Sequence, residues 1–171
     1  MAAWVARRHP PPVWWCPQLP PSPRAAAELI AQGTADWPRN TMAVIGSSLG
    51  GFYATWLAER MRCRAVLLNP AVDPARDLAN HLGEQTLWHQ PQEHFYFQAK
   101  YVDELRALRC GGPSQPDHYL CVIAKGDEVL DWREMTARYP GAHTKLLPAG
   151  DHALSDFDEH IGQIVEFLGL N

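Results

Sequence analysis

Short apolar runs alternate with helical patterns along most of this chain. MAVIG (42–46), AVLLNP (65–70), YLCVIA (119–124) and TKLLPA (144–149) are each short and bounded by glycine, proline or polar residues. Such runs predict buried strands. Between them, apolar spacing predicts helices over 49–61, 99–109 and 131–138, with a last one over 155–168. Upstream, SPRAAAELIAQG (22–33) has a serine cap, an early proline, alanine-rich filling and a closing glycine, the start and stop signals of a helix. Strands alternating with helices predict an α/β fold, a mostly parallel sheet with helices on both faces. In such sheets, sites form in the loops beyond the carboxyl ends of the strands.

Two stretches break the pattern. The start is proline-rich (Pro10 to Pro12, Pro17, Pro20, Pro21 and Pro23), yet VWWCPQL within it carries β-forming residues and reads as a short strand. The stretch from about 73 to 101 is rich in aromatics and histidine and lacks a clear period. It is long for a strand-to-helix connection. Two readings stand: a small cap over a site, or an aromatic surface segment packed on the sheet edge.

Length and charge narrow the class. At 171 residues, the chain suits one domain, 1–171, with a real core. Its net charge of -4 and the lack of a basic run argue against nucleic-acid binding. None of Cys16, Cys63, Cys110 and Cys121 lies in a CxxC pair, and no Cys/His cluster has zinc-site spacing. This predicts no metal, no cofactor and no disulfide framework; Cys121 reads as a small core residue. No apolar h-region follows Arg7 and Arg8, and no run is long enough to span a membrane, so a cytoplasmic protein is expected.

The candidate chemistry centres on Gly46-Ser47-Ser48-Leu49-Gly50, a G-x-S-x-G pattern placed between a strand and a helix. That is the context of a nucleophile elbow, where a strained turn exposes the serine Oγ beside a helix N-terminus. Small neighbours suit the turn, and Gly46, Gly50 and Gly51 supply them. The plain alternative is a glycine-rich turn without chemistry. A serine hydroxyl needs a base, and the base needs an acid to orient it. Asp127 in KGDEV follows one buried strand and His152 in AGDHAL follows the next. Serine, acid and histidine thus occur in α/β-hydrolase order on strand ends. Asp131 is the rival acid, although its place before a helix also suits an N-cap. His118 and His143 precede strands and so point to the far end of the sheet; His160 falls within the last helix, and Asp151 reads as a turn residue.

PQLPPSP, IGSSLGGFYATWLAER, LLNPAV, KGDEVLDW and GDHALSDF…IVEFLGL together resemble the bacterial YqiA-type esterases, small α/β-hydrolases with a minimal cap. The resemblance runs from about residue 8 to the C-terminus. It implies Ser48 as nucleophile, Asp127 as acid, His152 as base and the Leu49 backbone N–H as an oxyanion donor. It also implies acyl esters or thioesters as substrates. Members of that family begin with a strand and loop of the type LYLHGFxSSP, and this sequence starts after it. The resemblance therefore implies a sheet without that first internal strand and without its second oxyanion donor. Losing one such donor typically costs ~10²–10³ in kcat.

The expected function is that of a serine hydrolase acting on a small acyl ester or thioester, with Phe52, Trp88, Phe95 and Tyr96 as candidates to line an acyl pocket. For each of these four, core packing is the alternative. Two other classes compete: a catalytically impaired α/β-hydrolase-like binding protein or truncated gene product, and an acyltransferase using the same residues.

Overall fold

The structure is a computed structural model and describes residues 1–87 and 90–170, without the side chains of 86, 87, 90–93 and 95. After a short N-terminal turn of helix, α1 (Ala2–Val5), the chain runs through α2 (Pro23–Gly33), β1 (Ala43–Ser47), α3 (Leu49–Met61), β2 (Arg64–Leu68) and α4 (Pro74–Asp77). There follow β3 (Gly83–Leu87), β4 (Gln90–Phe97), α5 (Ala99–Leu108), β5 (Tyr119–Ala124), α6 (Trp132–Arg138), β6 (His143–Leu147) and α7 (Ile161–Leu168). Strands β1, β2, β5 and β6 form one sheet in that spatial order, and every pairing in it is parallel.

Side chains alternate across a strand, and here both faces are covered. Ala65, Leu67, Tyr119, Cys121 and Ile123 pack with Ala26, Phe52, Leu57, Leu105 and Met135 from α2, α3, α5 and α6. The intervening Val66, Leu68, Leu120, Val122 and Ala124 pack with Leu154 and with Ile164 of α7. Burial on both faces explains why β2 after Arg64, and β5, are continuous apolar runs rather than alternating ones. The Ser22 Oγ caps α2 by accepting from the Ala25 N–H at 3.2 Å, and donates to Glu104 of α5 at 2.7 Å.

Three expectations are corrected. VWWCPQL forms no strand. Its β-forming side chains are flanked by prolines that have no N–H to donate to a ladder. Instead the Trp15 ring lies where a Cβ on Gly33 would stand. The single helix expected over 155–168 is divided: a 3-10 turn, Phe157–Glu159, ends at His160, and α7 begins after it. His160 therefore caps that helix rather than lying within it. The described part of the stretch from 73 to 101, for which the sequence leaves two readings, holds α4 and the antiparallel pair β3 and β4, in a sheet of its own. Gly50 is not required by crowding, because a Cβ there would meet nothing within 4 Å.

Among the described residues, β1 has a strand neighbour on one side only. A cavity of about 1130 Å³ runs along its other edge, lined in part by Val13, Trp14, Trp15, Val44, Tyr53 and Leu57. No described strand occupies the place that the YqiA-type resemblance reserves between the proline-rich segment and β1. No helix among the described residues is long and apolar enough to cross a membrane.

Candidate active site

The site stands at the carboxyl ends of β1, β5 and β6. β1 turns into α3 within one residue, Ser48, held at φ 52 and ψ -123. Such geometry costs on the order of 1–3 kcal/mol for a residue with a Cβ and persists only where the surroundings enforce it. The surroundings are visible. The Ser48 N–H donates to the Leu68 carbonyl at 3.0 Å, and the Ser48 carbonyl accepts from Gly51 and Ala71, each at 2.9 Å. A Cβ on Gly46 would overlap the Gly50 carbonyl, and one on Gly51 would crowd Pro70. Those two glycines let strand, helix and the Pro70 loop close on the turn.

Ser48 occupies the N-cap position of α3 but makes no side-chain cap bond. Its Oγ lies instead 2.8 Å from His152 Nε2. His152 Nδ1 lies 2.8 Å from Asp127 Oδ2. An ionised carboxylate only accepts, so Nδ1 carries the imidazole proton. Nε2 is then the acceptor for the Ser48 hydroxyl. The other Asp127 oxygen, Oδ1, accepts from the Val129 and Leu130 N–H groups, both at 2.8 Å. The Asp127 side chain is 0% exposed and that of His152 12%. The pair is thus sheltered from water, with its hydrogen-bonding capacity used.

The sequence candidates Ser48, Asp127 and His152 are therefore brought together. Leu49 opens α3, so its N–H belongs to the first-turn groups without an intrahelical acceptor. The rival acid Asp131 is the N-cap of α6, accepting from the Arg133 N–H at 2.9 Å. Asp151 braces its own turn by accepting from the Ser155 N–H and hydroxyl, and these bonds hold its carboxyl below the usual carboxylate range. His118 and His143 lie at the opposite ends of β5 and β6, while His160 is buried beside Lys145, Nδ1 to Nζ 3.1 Å. Phe52 is 6% exposed and lies edge-on to Tyr53 in the core. Tyr96 is 66% exposed on β4. Trp88 and the Phe95 side chain lie outside the described residues.

Three features of the site escape the sequence reading. Glu128 accepts from the His152 N–H at 2.9 Å. Asn69 donates to the carbonyls of Asp151 and His152. Gly126 and Gly150 touch so closely that a Cβ on Gly126 would overlap the Gly150 carbonyl. The glycine pair leaves a trace in the sequence, since KGDE and AGDH both place glycine before aspartate at a strand end. The trace of Asn69 is a polar residue closing an apolar run before a proline.

Solved structures similar to this chain include α/β hydrolases. They include mouse alpha/beta hydrolase domain-containing protein 10, 16% identical over 84% of this chain and 70% of that one, with a TM-score of 0.57. An alpha/beta superfamily hydrolase from Oenococcus oeni PSU-1 is 14% identical over 90% of this chain and 77% of that one, TM-score 0.57. Ferulic acid-bound Est1E from Butyrivibrio proteoclasticus is 18% identical over 85% of this chain and 66% of that one, TM-score 0.58. The protein therefore has the α/β-hydrolase fold. Residues 1–169 match the family described as Uncharacterised protein family (UPF0227). The chain belongs to that family, the one to which its YqiA-type motifs point.

Proposed function

We propose that the protein is a serine hydrolase that cleaves small acyl esters or thioesters through an acyl-enzyme. The observation that carries this reading is the unbroken chain of two 2.8 Å hydrogen bonds from the Ser48 hydroxyl through His152 to Asp127. Ser48 Oγ attacks the acyl carbonyl while His152 Nε2 takes its proton. The charge that develops on the carbonyl oxygen is stabilised by the Leu49 N–H at the head of α3. The tetrahedral intermediate collapses, and the imidazolium returns the proton to the departing alcohol or thiol. Asp127 holds the imidazole in the tautomer this needs and stabilises its cationic form. Water, deprotonated by the same Nε2, then attacks the acyl-enzyme, and collapse regenerates Ser48 and frees the acid. These steps require no metal or cofactor. We assign the cap to the α4 and hairpin stretch, which leaves the sheet at the site end soon after Ala71. Tyr96 is its candidate contact for an acyl group.

The test is intact mass after exposure to a fluorophosphonate, on this chain and on Ser48→Ala. An adduct on the parent alone is expected. Absence of an adduct on the folded parent protein would replace catalysis with the binding-protein reading. Parallel turnover of a p-nitrophenyl ester and an acyl thioester then separates the two substrate classes, and product analysis with an added alcohol separates hydrolysis from acyl transfer.

A further inference from the structure

We infer that Asn69 is a positioning residue that sets the height of the His152 loop over Ser48; the inference rests on the serine-hydrolase reading above. Asn69 follows β2, is 0% exposed and adopts φ 40. Asparagine enters this left-handed region more readily than most side chains. Its carboxamide makes three hydrogen bonds at the site end of the sheet. Nδ2 donates to the Asp151 carbonyl at 3.0 Å and to the His152 carbonyl at 3.2 Å, and Oδ1 accepts from the Ala124 N–H at 2.8 Å. Its own N–H donates to Val122 at 3.0 Å.

The residues on either side of Asn69 hold the serine. Leu68 accepts from the Ser48 N–H, and Ala71 donates to the Ser48 carbonyl. Ala124, gripped by Oδ1, also accepts from the Asp127 N–H at 3.3 Å. The short segment from Leu68 to Ala71 thus has direct bonds to the backbone of Ser48 and His152 and reaches Asp127 through one intermediate residue. The Ser48 to His152 bond joins groups 104 positions apart in sequence. It depends on the elbow and the His152 loop being held at a fixed separation: the Asn69 side chain holds the His152 loop, and the backbone of Leu68 and Ala71 beside it holds the elbow. Asn69 touches neither reacting atom, so it acts through His152.

Asn69→Asp tests this with almost no change of shape. The Ala124 bond is kept, but a carboxylate oxygen then faces two carbonyl oxygens, and the His152 loop must lift. A misplacement of about 1 Å costs ~10²-fold in rate. The expected result is a fluorophosphonate labelling rate lowered about 10- to 100-fold, with kcat for a p-nitrophenyl ester lowered in step and KM unchanged. Measured as a ratio to the parent at the same pH, labelling should recover partly toward acid pH, where the introduced carboxyl is protonated and donates to one of the carbonyls. A purely structural role predicts a lower melting temperature but wild-type reactivity in the folded molecules at every pH. Asn69→Ala, which removes the grip without adding charge, is the second variant. Wild-type labelling by either folded variant, or failure of both to fold, overturns the inference.

Failure of the hydrolase reading is told apart by NMR of the His152 Nδ1 proton, which needs no turnover. If the parent protein does not label, loss or displacement of that resonance in Asn69→Asp still upholds positioning. An unchanged resonance overturns it.

Discussion

Replacing Asp127 by asparagine separates the two acids that the sequence offers, and the structure fixes which way the new amide turns. Asp127 Oδ1 accepts two backbone N–H groups at 2.8 Å, while Oδ2 accepts one imidazole N–H. With its oxygen toward Val129 and Leu130, the amide keeps two bonds and presents its NH₂ to His152 Nδ1. Turned the other way, it sets two donors against an NH₂ in a side chain 0% exposed. Each orphaned buried donor costs about 1–3 kcal/mol, so the first orientation wins. His152 Nδ1 must then accept, the proton moves to Nε2, and Ser48 faces a donor instead of a base. The same change in a Ser-His-Asp protease lowers kcat about 10⁴-fold, or roughly 5.4 kcal/mol at 1.36 per tenfold. A loss of that order is expected in p-nitrophenyl ester hydrolysis, with KM nearly constant. Asp131→Asn is the control: asparagine caps a helix as well as aspartate, so its activity should stay close to the parent's. Asp127→Asn retaining kcat within about tenfold, or Asp131→Asn falling as far, would refute the reasoning.

Gly50→Ala should leave fluorophosphonate labelling intact and stabilise the protein by about 0.4–1 kcal/mol in urea unfolding, because its Cβ enters open space. Gly46→Ala must push the Gly50 carbonyl and Ala54 aside; a cost of about 1–3 kcal/mol with loss of labelling is expected, and equal stability of the two variants would contradict the elbow packing. Burial pushes the Cys63 and Cys121 thiols up to about 11 and about 12, so in native thiol titration exposed Cys16 should react first and those two only on unfolding. The folded chain holds these protons more tightly than the unfolded one, so stability should fall as pH rises from about 9 toward 12; urea midpoints unchanged between about pH 8 and 10.5 would count against it.

The sheet was legible because strands buried on both faces are apolar throughout, as AVLLNP and YLCVIA are, and MAVIG repeats the pattern beside them. VWWCPQL misled for a related reason. β-propensity reports how a side chain fits a pleated surface, and this segment has the side chains without the backbone donors. The hairpin from Gly83 to Phe97 carries no period that a single run of sequence reveals, and its pairing slips at Thr86 and Leu87. That Ser48, Asp127 and His152 meet was readable because each stands just beyond a strand end of one parallel sheet. Asn69 was not, since its partners come from the end of β5, at Ala124, and from the loop at Asp151–His152, which only the tertiary fold brings together.

The parallel order of β1, β2, β5 and β6 also bears on when the site comes into being. Parallel neighbours cannot be joined by a tight turn, so each pairing waits for a long crossover to close, and folds built on such distant contacts form slowly. Ser48 arrives with the first strand of the sheet and His152 only after the last. A chain still emerging from the ribosome, or one stalled with β6 undocked, carries the elbow without the imidazole that the proposed function assigns as its base. Reactivity toward a fluorophosphonate during refolding should thus rise only with the final docking event, which makes the site a clock for completion of the fold.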